Sequence, residues 1–270
     1  MKRVQPVALI GAGNFTASPV KRLLCRSSQL GPVLSPSFRI ASRMANSLHA
    51  GYAARHYAEI NPCRLVLLSL PDESIPGLVA DLAAAGVCWY GKAVMLCSAW
   101  LDSSELQPLA ERGAAIGSLS LIPGFEDPCY LLEGDRRAVR QTMRLWKENP
   151  CRSVIIERER KPLVLASVTC TGRLAFGLLV AAAEALRQAG VSSGESASMI
   201  EKQLQRTLRI YLRAGRKAFP ESRRLSQQLR ALESSDPQLA QYLKESSRLA
   251  ASLAAGLKSI PGTRRQSEIA

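Results

Sequence analysis

Three groups of residues in this sequence have the type and spacing to do chemistry. The first is Gly11-Ala12-Gly13-Asn14-Phe15, entered from the apolar run Val7-Ala8-Leu9-Ile10. A helix-compatible segment, Ala17 to Ser27, follows, so the order is strand, tight turn, helix. Gly11 can take the bend, and Gly13 lets a diphosphate approach the backbone. The start of the helix then offers free N–H groups and its positive end to the anion. Thr16 stands where a third glycine would complete the G-x-G-x-x-G spacing, so the helix start cannot pack as tightly on the strand. Gly11, Ala12, Gly13, Asn14 and Phe15 are the candidate diphosphate cradle. The alternative is a glycine turn that holds no nucleotide.

The second group is Ser42-Arg43, at the end of a predicted second strand, Phe38 to Ser42. In a dinucleotide fold that strand end meets the adenosine ribose, where an acidic residue grips the 2′-hydroxyl of NAD. No Asp or Glu is present, and Arg43 can pair a 2′-phosphate, which favours NADP over NAD. The alternative is that Arg43 is a solvated loop residue. The third group is Lys202, Arg206, Arg209, Arg213 and Arg216, spaced by four and three along a predicted helix with Leu204, Leu208, Tyr211 and Leu212 opposite. Such a face could draw an anionic substrate or a nucleic-acid backbone. It also reads as the solvated side of an amphipathic helix, and no aromatic residue interleaves it, which weighs against nucleic acid. Metal chemistry is not expected. The seven cysteines form no C-x-x-C pair, and His49 and His56 have no cysteine or carboxylate cluster nearby.

The elements that must position these groups alternate in type. The second strand follows a loop over 28–37. Arg64 to Leu70 is a near-continuous apolar run, as expected of a strand covered on both faces. Pro71 stops it, and Asp72 is placed to cap a helix to Ala85. Strands are predicted at Ala93 to Cys97, Ala114 to Leu119, Tyr130 to Glu133 and Ser153 to Glu157. Helices are predicted at Met44 to Ala54, Ser103 to Arg112 and Asp135 to Glu148, and residues 120–125 form a loop. Alternating strand and helix argue a doubly wound α/β sheet. Beyond the charged stretch Glu157 to Pro162 only helices are predicted: Leu163 to Ala189, Glu195 to Ala214, Glu221 to Glu233, and one from Pro237 capped by Asp236. The expected division is a Rossmann-type domain over 1–160, an all-α domain over 161–258 and a frayed tail over 259–270.

Composition fits this plan. The 270 residues are 47% hydrophobic, with mean hydropathy −0.01. The first apolar run is four residues long, too short for a signal peptide. The longest, Leu174 to Leu186, carries Glu184 and reads as a buried helix too short to span a bilayer. A cytoplasmic protein with reduced cysteines and no membrane segment is expected. The net charge of +14 is uneven: residues 1–157 hold 17 Lys+Arg against 13 Asp+Glu, and residues 158–270 hold 19 against 9. The excess points to an anionic ligand or partner of the C-terminal part.

The order Gly11-Ala12-Gly13-Asn14, Ser42-Arg43, Leu70-Pro71-Asp72-Glu73-Ser74-Ile75, Cys97-Ser98-Ala99, Gly117-Ser118-Leu119, Glu133-Gly134-Asp135, then a long Ala-rich helix ending Ala189-Gly190-Val191, resembles a family. These are the Rossmann-like proteins with a helical second domain, relatives of pyrroline-5-carboxylate reductase. The resemblance runs from residue 5 to about 255 and implies an NADP site at the carboxyl ends of the strands, where Leu70, Pro71, Asp72 and Ser98 are candidate cofactor residues, with Ser98, or Pro71 and Asp72, bordering the nicotinamide. It also implies a substrate cleft between domains and a homodimer formed through the helical part. The sequence departs from the family's pattern. Ser120 and Leu121 stand in place of a histidine and proline, Leu163-Val164 in place of a tyrosine-histidine pair, and Gly172 near a family asparagine. A glycine-rich loop is shortened to Ala218-Phe219-Pro220-Glu221. The groups left for catalysis are Ser98, Ser120 and Arg173, beside Asp102, Thr169 and Thr171. Arg173, if buried inside this apolar helix, would need a carboxylate or phosphate; the alternative is a helix arginine snorkelling to the surface.

Two functions follow from the resemblance and the residues together. One is an NADP-dependent oxidoreductase acting on a small carbonyl, imine or hydroxy compound. The other is a nucleotide-binding sensor or partner subunit that has lost the chemistry. A basic scaffold for nucleic acid is the third and weakest.

Overall fold

The computed structural model describes residues 6–12, 19–124, 126–147, 151–215 and 225–256. Gly13, Asn14, Phe15, Thr16, Arg216, the shortened loop 218–221 and the tail 259–270 lie outside the described residues. The chain separates into two compact units, residues 1–168 and 169–270.

The first unit is built on one sheet. Its strands are β1 (Val7–Gly11), β2 (Leu30–Leu34), β3 (Tyr52–Ala53), β4 (Leu65–Ser69), β5 (Ala93–Leu96), β6 (Ala115–Ile122), β7 (Cys129–Gly134) and β8 (Arg152–Ile155). They lie in the order β3-β2-β1-β4-β5-β6-β7-β8. Pairs from β3 through β6 are parallel, β7 runs antiparallel to β6, and β8 is parallel to β7. The chain walks outward from β1 to β3, then starts again on the other side of β1 and walks outward through β6. The direction reverses between β1 and β4, and in such sheets ligands bind outside the carboxyl ends of those strands.

Helices cover both faces. Val7 to Ile10, Leu65 to Leu68 and Ala93 to Leu96 are buried along their whole length, which is why they read as unbroken apolar runs. Leu9, Leu67 and Met95 pack with Val20, Leu23, Met44, Leu48 and Val139, which come from α1 (Pro19–Leu24), α2 (Phe38–Leu48) and α5 (Arg136–Met143). Ala8, Ile10, Val66, Leu68, Val94 and Leu96 face the other way. They pack with Ile75, Val79 and Leu82 of α3 (Ile75–Ala84) and Leu109 of α4 (Gln107–Ala110).

Four local expectations are corrected. Residues 38–42 are not a strand; they open α2, because Ala41, Met44, Ala45 and Leu48 recur at helical spacing and are buried together. The strand lies earlier, within the segment expected to be a loop. Gly31 and Pro32 hide it in the sequence, and the β1–β2 register shifts between Val7 and Leu9 opposite them, which accommodates a proline without an N–H. Ser120 is not in a loop: antiparallel pairing with Leu131 of β7 extends β6 to Ile122. Asp72 makes no side-chain cap; it begins a 3-10 turn, Asp72–Ser74, that leads into α3.

The second unit is helical over its described residues: α7 (Ala175–Gln188), α8 (Ser193–Ala214), α9 (Leu225–Ser235) and α10 (Pro237–Gly256). Asp236 caps α10 as expected, accepting the Leu239 N–H at 2.9 Å, and its other oxygen accepts the Gln188 amide at 3.0 Å. The helix read as buried is longer than its apolar run and is not buried. α6 (Lys161–Thr169), a π-helical turn over Cys170–Leu174 and α7 form one helical run. Leu174, Phe176, Leu178 and Val180 are more than half exposed. By length and composition alone, Arg158–Gln188 is long and apolar enough to cross a membrane.

Candidate functional site

The crevice between β1 and β4 is where the two halves of the sheet part. Gly11 is the last residue of β1 and pairs with Ser69, the last of β4. A Cβ at Gly11 would stand 2.4 Å from Met44 Cε and 3.3 Å from the Ser69 carbonyl oxygen. A side chain here would have to displace the flexible end of Met44 and sit tightly against the Ser69 carbonyl, so the glycine lets α2 and β4 approach β1 closely. The Ala12 N–H donates to the Ser69 carbonyl at 3.3 Å, so it is already engaged within the sheet. On the β4 side Leu70 and Asp72 are half-buried and Pro71 is exposed.

At the neighbouring end of β2 the structure identifies a residue that the sequence reading missed. Ser35 follows Leu34 directly, and its Oγ is buried without a hydrogen-bond partner among the described residues. A buried hydroxyl with no acceptor or donor costs about 1–3 kcal/mol, so it marks a place where a polar ligand would be favoured. Beside it, β3 pairs with β2, so Arg55 emerges from the same end of the sheet. Its guanidinium carbon lies 3.9 Å from the centre of the Phe38 ring. Residues 35–39 read Ser-Pro-Ser-Phe-Arg and contain no carboxylate. Ser42 and Arg43, in contrast, lie inside α2, with Arg43 exposed and Ser42 half-buried, away from the strand end at which they were expected.

A polar network closes the other side, at the end of β5. Ser98 is buried, and its Oγ accepts the N–H groups of Trp100 at 3.0 Å and Leu101 at 2.9 Å. Lys161, the first residue of α6, is 1% exposed. Its Nζ donates to the Ser98 carbonyl at 3.1 Å, to Ser118 Oγ at 2.9 Å and to the Leu101 carbonyl. Burial pulls its pKa down, opposed by the carboxylates of Glu133, Asp102 and Asp72. Glu133, also 1% exposed, is the cross-strand partner of Ser118. Its oxygens accept the Ser103 N–H at 2.8 Å and the Ser103 hydroxyl at 2.7 Å. Ser120 is buried two residues along β6 from Ser118, hence on the same face.

Asp102 and Cys97, the ionisable groups nearest this network, are not set up as proton donors near neutral pH. Burial raises the pKa of Asp102, but the Ser104 hydroxyl and N–H, at 2.6 and 2.8 Å, outweigh it and leave the carboxyl below its usual range. Cys97 is pushed up to about 12 by burial, so it is a thiol. His49 is the left-handed C-cap residue of α2, and His56 shares a capping box with Glu59. Neither makes a hydrogen bond to the Lys161 network among the described residues. In the second unit Arg173 lies in the π-helical turn and is exposed, not buried. Such turns recur at functional sites. Lys202, Arg206, Arg209 and Arg213 are exposed along α8, and Leu204, Leu208, Tyr211 and Leu212 opposite them are exposed too. Among the described residues no group of three or more His, Cys, Asp or Glu side chains could hold a metal ion.

Lys161 escaped the sequence reading because it sits in a run of charges taken as a domain boundary. The available signal was a lysine directly before proline at a helix start, where the dipole disfavours a cation. No sequence signal marks Ser35.

Comparison with known proteins agrees with this topology. Residues 43–122 match the family described as Rossmann-like domain. No curated protein matches the chain. Among solved structures, a variant imine reductase from Myxococcus stipitatus in complex with NAD+ has a TM-score of 0.68 at 13% identity, covering 91% of this chain and 94% of that one. A reductive aminase from Aspergillus terreus in complex with NADPH and ethyl levulinate has a TM-score of 0.59 at 17% identity, covering 93% and 91%. An imine reductase from a Pseudomonas species has a TM-score of 0.59 at 14% identity, covering 89% and 88%. These likenesses establish a shared Rossmann-like α/β fold followed by a helical region.

Proposed function

We propose that this chain is an NADP-dependent oxidoreductase that reduces a small imine or carbonyl compound, working as a homodimer assembled through its helical unit. The observation that carries the reading is the orphaned Ser35 hydroxyl at the end of β2, next to the strand reversal. It fits the ribose end of a dinucleotide, and the lack of a carboxylate over residues 35–39 favours a 2′-phosphate over a free hydroxyl. Arg39 and Arg55, at the same end of the sheet, supply the positive charge first sought in Arg43. Solved structures of the same fold that hold NADPH, NAD+ or a keto ester support the reading by analogy.

A bound nicotinamide dinucleotide would supply a hydride. The chain's own task is then to hold the diphosphate at the Gly11 end of β1 and border the nicotinamide with Leu70, Pro71, Asp72 and the loop after Ser98. Ser120 and Ser98 offer hydroxyls to orient a carbonyl or imine. Arg173 bears on the long apolar helix, because a guanidinium midway along it is costly in a bilayer. Coverage of the exposed Phe176, Leu178 and Val180 by a second copy is the better explanation of that surface.

The second reading, a nucleotide-binding sensor without turnover, is favoured by one observation. Ser98 turns its Oγ onto its own loop, where it accepts the N–H groups of Trp100 and Leu101. NADPH oxidation followed with a panel of cyclic imines, aldehyde–amine mixtures and keto acids separates the two. Turnover of any member supports the enzyme, and tight cofactor binding with no turnover supports the sensor. Light scattering that gives a monomer at micromolar concentration would remove the dimer.

A further inference from the structure

We propose that Lys161 and Glu133 are positioning residues that fix the loop 98–104 against the nicotinamide half of the dinucleotide; the inference rests on the cofactor reading above. The loop leaves β5, whose neighbour β4 flanks the strand reversal. It is held from two sides by buried, oppositely charged groups. Lys161 gathers the carbonyls of Ser98 and Leu101 at its near end, and Glu133 takes the N–H and hydroxyl of Ser103 at its far end. Between them Ser98 Oγ binds the Trp100 and Leu101 N–H groups. Its backbone is thus fixed at consecutive points, while the Trp100 side chain is left 69% exposed.

The arrangement is a costly way to build a loop. Lys161 is an ammonium removed from water in the first turn of a helix, where the dipole also opposes it. Well-packed apolar residues commonly replace such buried charges at no loss of stability. What an apolar pair cannot do is set the distance between the end of β5, Ser118 on β6 and the start of α6, which one Nζ with three acceptors does. All three acceptors belong to the loop and to β6, so the geometry makes Lys161 a positioning residue.

Two ligands separate local positioning from general weakening. NADPH reaches the nicotinamide end of the crevice, whereas adenosine 2′,5′-bisphosphate carries only the adenosine end. In Lys161→Met the NADPH dissociation constant is expected to rise about tenfold or more, and that for the bisphosphate to stay within about twofold. Quenching of tryptophan emission by saturating NADPH is expected to fall as Trp100 loses its fixed place. Ser118→Ala removes one acceptor and keeps both charges. It is expected to show the same selective loss at a smaller size, so the test survives if Lys161→Met fails to fold. Equal weakening of both ligands, or no change in either, overturns the proposal. If the unaltered protein binds neither ligand, the cofactor reading has failed and this inference falls with it.

Discussion

Glu133 accepts both the N–H and the hydroxyl of Ser103, at 2.8 and 2.7 Å, across the 30 residues that separate them, with both residues almost fully buried. A buried carboxylate needs such donors, and Ser103 needs an acceptor at the start of its 3-10 turn. Ser103→Ala removes one of the two bonds and should cost about 1–2 kcal/mol, whereas Glu133→Ala strands both Ser103 donors and removes a negative charge that offsets the burial of Lys161, and should cost more, about 2–4 kcal/mol. Urea denaturation of the two variants gives these values directly. Equal losses would mean that the carboxylate contributes nothing beyond the serine.

The seven cysteines are free, and their environments sort them. Burial pushes Cys97 up to about 12, and Cys63 and Cys151 to about 11, while Cys88 and Cys170 are exposed. The thiolate is the nucleophile, so iodoacetamide at pH 8 should label Cys88 and Cys170 first and leave Cys97 until the chain unfolds. Raised folded values also give a sign for pH dependence. The folded state keeps its thiols protonated where the unfolded chain would ionise them. This contribution is whole below the ordinary value of 9.0 and is lost as pH rises toward 12. Mass spectrometry after timed labelling reads the order, and early modification of Cys97 would contradict its burial.

The strands that were legible in the sequence are those buried on both faces. Arg64 to Leu70 and Ala93 to Cys97 match β4 and β5 within a residue, because continuous apolar runs have few other homes. β2 was not legible, because Gly31 and Pro32 look like turn residues and their strand role depends on a shifted register with β1. The error moved the expected ribose end of the candidate site: with the strand misplaced, Ser42 and Arg43 took the place that Ser35 holds at the end of β2. The Lys161–Glu133 network was invisible for another reason. Its members come from four separated segments, and only the antiparallel pairing of β6 with β7 places Ser118 beside Glu133.

Cofactor selection tests that correction. Arg43 is exposed on α2, so Arg43→Ala should leave affinity for NADPH and NADH unchanged within about twofold. Ser35→Asp places a carboxylate where the ribose hydroxyls of NAD would be gripped and a 2′-phosphate repelled. It should lower the preference for NADPH over NADH by about tenfold or more. Parallel titrations of both cofactors on both variants provide the check. A loss of NADPH affinity in Arg43→Ala alone would restore the original assignment.

The most direct measurement is calorimetric titration of the unliganded protein with NADPH and, separately, NADH. Saturable binding of one molecule per chain is expected, with NADPH the tighter of the two. No heat or saturation with either nucleotide up to millimolar concentration would contradict a dinucleotide site at the β1–β4 crevice.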